Sequence, residues 1–294
     1  MNARATLHPG GGSLAPGVRP DAAVQRVGRA AVAALYDELA LDPKPGLVSF
    51  IDSGSHHDMD ARTFLRSLFA LRHSFPRLAA LGAAGAEFAL LEDEGIAAEA
   101  RMLTATGGIN THRGAIFSLG LLCASGGWLV AQRLPLRSGP LRHTLLERWG
   151  NALGTRSQRI MSSHGASAAR RFELRSATAE AAQGFPVLFE TTIPALRAAL
   201  RRGLTPRHAR IDALFQTMAV LDDTNLAHRG GLAGLRYAQR VARDYLRAGG
   251  AARPDGIDHA RSLHRDFVAC NLSPGGAADV LAAACWVQRV CEVG

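Results

Sequence analysis

The sequence predicts an all-α protein. It reads as a single compact multi-helix domain, with a central buried apolar helix and its functional groups at the interhelical turns. Three observations carry this. Ala, Leu and Arg dominate a chain of 294 residues that is 47% apolar and only 6% aromatic, and these three are strong helix formers. Apolar residues recur at steps of three and four, which places them on one helical face. Few stretches show the β-branched alternation of a half-buried strand.

The elements follow in order. Residues 1–20 are rich in Gly and Pro and lack periodicity, so they read as a disordered leader, with one helical domain over 21–294. From Asp21 the series Val24, Val27, Ala31, Leu35 and Leu39 marks a helix that stops before Pro43. After a polar loop, Asp58 or Asp60 is a natural N-cap for a helix carrying Phe64, Leu65, Leu68, Leu71 and Phe75. A third helix is expected over 84–103. The uncharged run over 114–132 is long enough to span a membrane. Its glycines and small polar residues favour a buried central helix instead, with a break expected at Gly126-Gly127. Further helices are expected over 139–154, 186–201 and 206–220, then to about Arg247, and at the C-terminal end.

The formal charge is +9, and 33 of the 34 basic residues are arginine. Such a balance favours anionic partners. There is no run of five like charges and no basic stretch interleaved with aromatics, so nucleic acid is not indicated. Cys123, Cys270, Cys285 and Cys291 have no CxxC spacing and read as reduced core thiols. No secretory h-region is visible, and the composition is cytoplasmic.

Four polar, glycine-bearing segments punctuate the helices, at 43–60, 106–114, 221–231 and 271–279. The first holds Lys44, the single lysine, between two prolines that keep its backbone out of a helix. Ser53, Ser55, His56, His57, Asp58 and Asp60 follow. The second offers Asn110, Thr111, His112 and Arg113 as donors to ribose hydroxyls or phosphates. In the third, Asp222 and Asp223 are adjacent carboxylates, oxygen ligands suited to Mg²⁺, followed by Asn225, Arg229, Gly230 and Gly231. The fourth contributes Ser273. His56, His57, His112 and His164 are candidate acids or bases. No Walker A, GxSxG or Rossmann fingerprint is present.

Five motifs in order, PKPGLV…SGSHHDMD, GGINTHRGAIFSLGLL, HG…EA..GFP, LDDTN…RGG and NLSPGGAADVLA, resemble the triphosphoribosyl-dephospho-CoA synthases. The resemblance spans about residues 25–291 and departs at His57 and Arg113, where that family favours lysine. It implies an all-helical transferase that joins the ribosyl carbon of ATP to a ribose hydroxyl of 3'-dephospho-CoA and releases adenine. The product implied is the prosthetic-group precursor of an acyl carrier subunit, in malonate decarboxylase or citrate lyase. The arginine-rich, leader-bearing chain leans to the former.

The residues suit such chemistry. An N-glycosidic bond breaks with oxocarbenium character, which carboxylates stabilise, and the leaving base and attacking hydroxyl need an acid and a base. Asp222 and Asp223 are assigned to Mg²⁺ or the ribosyl cation, with Asp58 as a further metal ligand. Lys44, Arg113 and Arg229 are assigned to phosphates, and His56 or Asp58 to acid–base work. Ser53, Ser55, Asp60, Asn110, Thr111, His112, His164, Asn225, Gly230, Gly231 and Ser273 are expected to line the substrate. A homo-oligomer is compatible with the chain, and no membrane partner is expected. The alternatives are an Mg²⁺-dependent hydrolase of ADP-ribose-like substrates and a basic helical module that binds nucleic acid or a carrier protein.

Overall fold

The computed structural model describes residues 21–158 and 164–291; the leader expected over 1–20 lies outside them. Among the described residues there are thirteen α-helices, one π-helical turn and one 3₁₀ turn, with no strand. Helix α1 (Ala22–Leu39) starts where Asp21 caps Ala23, and its apolar stripe is buried as expected. The second amphipathic pattern is two helices, α2 (Ala61–Leu71) and α3 (Ser74–Ala83). The chain turns between them at Arg72-His73, and Phe75 belongs to the second. Asp60, not Asp58, is the cap of α2, accepting from Thr63 N at 2.8 Å. Helix α4 (Phe88–Thr106) ends at Gly107, which takes the left-handed conformation that glycine tolerates best.

Helix α5 (Arg113–Ala131) is the centre of the molecule. By length and composition it could cross a membrane, but 72% of its apolar window is buried inside the fold. It packs against α1, α3 and α4, and against α6 (Ser138–Ser157) and α13 (Gly275–Val290). The expected break at Gly126-Gly127 does not occur, and the helix runs through. Glycine is required there for contact rather than flexibility. A methyl at Gly127 meets the Ala79 carbonyl of α3, and one at Gly82 meets the Ala124 carbonyl of α5. The two backbones therefore approach face to face. Trp286 of α13 closes this layer by donating from Nε1 to Val27 O at 2.9 Å.

The other half holds α7 (His164–Arg171), α8 (Ala177–Ala182), α9 (Ile193–Arg201), α10 (Pro206–Val220), α11 (Thr224–Arg247) and α12 (Gly256–Ala269). A π-helical turn, Val187–Thr192, runs directly into α9. Phe215 of α10 stacks on Tyr245 of α11 with ring centroids 3.9 Å apart. Residues 224–231, expected as part of a turn, are the first turns of α11, which kinks at Gly231 (φ 63°, ψ −167°).

Candidate active site

The polar turns converge on one cavity of about 1200 Å³. Its wall takes residues from the 43–60 loop, α1, α4, α5, α11, the 271–274 turn and α13. The loop is fastened on both sides. His264 of α12 bonds Lys44 O through Nδ1 at 2.7 Å and Asp52 through Nε2 at 3.1 Å. Ser55 Oγ donates to Leu272 O at 2.6 Å.

Lys44 does not line this cavity. Its ammonium is buried and donates to Glu38 Oε1 at 2.5 Å and to Glu38 O at 2.6 Å. An enclosed, paired ammonium is not a free phosphate ligand, so the structure corrects that assignment. The cavity-facing member of the pair is Glu38.

His56 is bonded at both nitrogens. Arg229 donates to Nδ1 at 3.0 Å, so Nε2 carries the proton toward Ser273 Oγ, 3.0 Å away. Arg229 also donates to Ser55 O and Asn271 Oδ1, each at 2.8 Å. Burial, then the Arg229 charge, lowers the His56 pKa to about 4. His56 is thus a neutral, fixed ring that positions Ser273. Asp58 lies 3.8 Å from His56 Nδ1 and is exposed at the cavity mouth.

His112 is fully buried, with Nδ1 bonded to Ser67 Oγ at 2.7 Å. Burial, then Lys44, lowers its pKa to about 3. Its Nε2 has no partner among the described residues although it lies on the cavity wall, and neighbouring Thr111 Oγ1 also lacks one. Buried polar atoms are normally satisfied, so these two are natural contacts for a bound molecule. Arg113 pairs with Glu99, a wall residue with no distinguishing sequence signal, and Asn110 Oδ1 caps Arg113 N at 3.1 Å.

Beside the cavity lies a knot of helix N-termini. Asp223 caps α11, with Oδ1 accepting from Asn225 N (2.9 Å) and Leu226 N (3.3 Å), while Oδ2 accepts from Ala277 N of α13 (2.9 Å). Asp279 of α13 in turn lies against the start of α5, where a methyl on Gly114 would meet its Oδ2. Asp223, buried, and Asp279, partly buried, thus stand where three helix starts meet. Burial raises Asp223 to about 6, against the opposing pull of four main-chain N–H groups. Burial, then Glu38 and Asp223, raises Asp279 well above the usual carboxylate range. Such surroundings favour the protonated form of the Asp279 carboxyl.

Asp279 and Glu38 were not among the candidates read from the sequence. Asp279 stands inside the 271–279 segment, where it reads as an ordinary helix-start residue. Glu38 lies one turn before the loop, and only the fold turns it inward.

The remaining candidates divide. Asn225 and Ser273 reach the cavity. Ser53, Asp60, Gly230 and Gly231 do not line it; Gly230 instead makes room for Leu272. Asp222 borders a smaller, adjoining chamber, where it accepts from Arg175 N at 3.2 Å. His164 begins α7, and its side chain lies outside the described residues. Asp222, Asp223 and Asp58 form no metal cluster, since among the described residues no three His, Cys, Asp or Glu side chains are grouped to hold an ion. Asp223 in particular has both oxygens engaged by main-chain donors.

Fold and cavity together define an all-α molecule with carboxylates and neutral histidines grouped about one large cavity. The family described as ATP:dephospho-CoA triphosphoribosyl transferase (CitG) matches residues 24–293. The chain belongs to that family and transfers a triphosphoribosyl group from ATP to dephospho-CoA. No solved structure matches the chain.

Proposed function

We propose that the cavity breaks the N-glycosidic bond of ATP and passes C1 of its ribose to a ribose hydroxyl of 3'-dephospho-CoA. The observation that supports this reading is the pair of aspartates, Asp223 buried and Asp279 partly buried, at the meeting of α5, α11 and α13. The bonding electrons leave with adenine, and Asp279 supplies the proton that makes the base a neutral leaving group. The Asp223 carboxylate opposes the positive charge that develops at C1. The acceptor oxygen forms the new bond and loses its proton, which restores the Asp279 carboxyl, so the protons balance. Ser273, oriented by His56, contacts the acceptor hydroxyl. His112 Nε2 and Thr111 Oγ1 bond the ribose or phosphates, and Arg113 and Arg229 supply positive potential around the triphosphate.

Magnesium fits here as an ion that enters with the triphosphate, because Mg²⁺ commonly keeps its waters and takes one or two carboxylates beside substrate phosphates. Asp58, exposed on the wall, is the side chain that suits it. When bound, it neutralises phosphate charge.

Mass spectrometry of the product from ATP and dephospho-CoA tests the reaction. A triphosphoribosyl adduct with one adenine released per turnover is expected. Adenine release that does not need dephospho-CoA indicates a hydrolase and overturns the reading. Asp279→Asn is expected to lower kcat at least ~100-fold, the usual scale for losing a general acid. The product's destination is proposed to be the carrier subunit of malonate decarboxylase, a choice supported by the arginine-rich composition. Modification of that subunit rather than the citrate lyase subunit, in parallel assays, is the expected outcome.

A further inference from the structure

Two features have no role in the reaction as proposed: the segment from Glu180 to Gly184-Phe185-Pro186, and the small chamber beside the main cavity. They belong together. The chamber, about 130 Å³, is bordered by Glu180 and Phe185 of that segment and by Val187 and Leu188 of the π-helical turn that follows. Its other walls include Phe117, Val280 and Ala283, and its polar corner holds Asp222 and Arg175. Glu180, though buried, is fully engaged. One oxygen accepts from Val187 N at 2.7 Å and the other from Arg175 Nη1 at 2.9 Å. Phe185 has φ +50°, a conformation that a bulky residue rarely adopts. Unfavourable backbone and π-turns both concentrate at functional sites.

The chamber is not isolated. Gly114, Phe117, Thr224, Gly276 and Asp279 border it and the main cavity alike. Asp223 lies on its wall as well.

We propose that this chamber is the leaving-group pocket, holding the adenine ring of the ATP donor while the ribose and triphosphate lie in the main cavity. The inference rests on the transferase reading above. An engineered apolar cavity of about 150 Å³ takes up benzene, so a chamber of about 130 Å³ accepts the six-membered ring of a purine. The five-membered ring, with the glycosidic nitrogen, then lies at the opening where Asp279 stands. Apolar walls with Phe117 and Phe185 suit a flat heteroaromatic ring. The Asp222 carboxylate, which accepts from the Arg175 N–H through one oxygen, suits the exocyclic amine of adenine. Guanine presents a carbonyl oxygen at the same ring position and is repelled there. The acceptor's adenine also stays bonded to a long product that must leave through the main cavity. Only the donor's base is freed, and only it needs a neighbouring acid.

The test fills the chamber one turn along α13 from Asp279. Ala283→Leu is expected to raise the KM for ATP at least ~10-fold, the lower end of what pocket volume commonly decides. The KM for dephospho-CoA stays within about two-fold of wild type. Free adenine, titrated calorimetrically, binds wild type and competes with ATP, and its binding is lost in Ala283→Leu. Asp222→Asn, which exchanges an acceptor for a donor, raises the GTP-to-ATP ratio of kcat/KM by ~10-fold or more, and it decides between the outcomes where Ala283→Leu does not fold. An unchanged KM for ATP in a folded Ala283→Leu protein overturns the pocket, as does an increase confined to dephospho-CoA or an unchanged nucleotide ratio in Asp222→Asn. Those failures are distinct from failure of the transferase reading, in which wild type yields no triphosphoribosyl adduct.

Discussion

Lys44 and Glu38 show how a conspicuous residue can serve a quieter one. Both are buried and the ammonium has no solvent, so removing one partner strands a charge. Lys44→Met is expected to destabilise the protein by about 3–5 kcal/mol, whereas Lys44→Met with Glu38→Leu recovers most of the loss, because a well-packed apolar pair often replaces a buried ion pair without cost. Chemical denaturation of the single and double variants checks this, and equal loss in both is the contrary result. His112 adds a pH dependence. Its pKa is held down to about 3 from 6.5, by burial first and Lys44 second. A base lowered in this way contributes stability that is complete above 6.5 and is lost as pH falls through about 3. The drop in urea midpoint between neutral pH and about pH 4 is therefore expected to be smaller in His112→Gln than in wild type. Equal drops would remove His112 from the account. Single residues were the least legible part of the sequence. Rarity and proline flanks singled out Lys44, but the partner its side chain takes is supplied by α1, which carries Glu38. Asp279 looked ordinary because its burial comes from α5 and α11, both distant in sequence.

Helices were the most legible, since period and caps are local properties. The stripe of α1, the cap at Asp60 and the N-terminal Pro206 of α10 all lie where their residues direct. The errors have tertiary causes. Amphipathic periodicity passed unbroken from Leu71 to Phe75 because both helices face the same core, hiding the turn between α2 and α3. The glycines at 126 and 127 suggested a break, since glycine weakens an isolated helix; here they admit the neighbouring backbone. This distinction is measurable. Gly127→Ala drives a methyl into the Ala79 carbonyl and is expected to cost about 3 kcal/mol or more, at the upper end of overpacking. Gly154→Ala, in α6 where no atom stands within 4 Å of the added methyl, is expected to gain about 0.5–1 kcal/mol. A break at Gly126-Gly127 would have predicted mild effects at both. Thermal melts of the two variants decide.

At the scale of the whole molecule, the site cannot be assigned to any one part of the chain. Glu38 comes from α1, His112 from the start of α5, Asp223 from the turn before α11 and Asp279 from α13, and Trp286 of α13 bonds back to Val27 of α1. The aspartates that carry the proposed chemistry also stand where helix starts meet, so a molecule that loses the knot loses the site. Unfolding in urea is therefore expected to be one cooperative transition, with helicity by circular dichroism and transferase activity falling at the same denaturant concentration. Both curves shift together on adding ATP, by about 2.7 kcal/mol at 100 times its Kd, because the nucleotide binds only the assembled cavity. Activity lost at a denaturant concentration where the helices persist would separate the site from the core. The Asp223–Asp279 knot would then be a local device on an independently stable bundle.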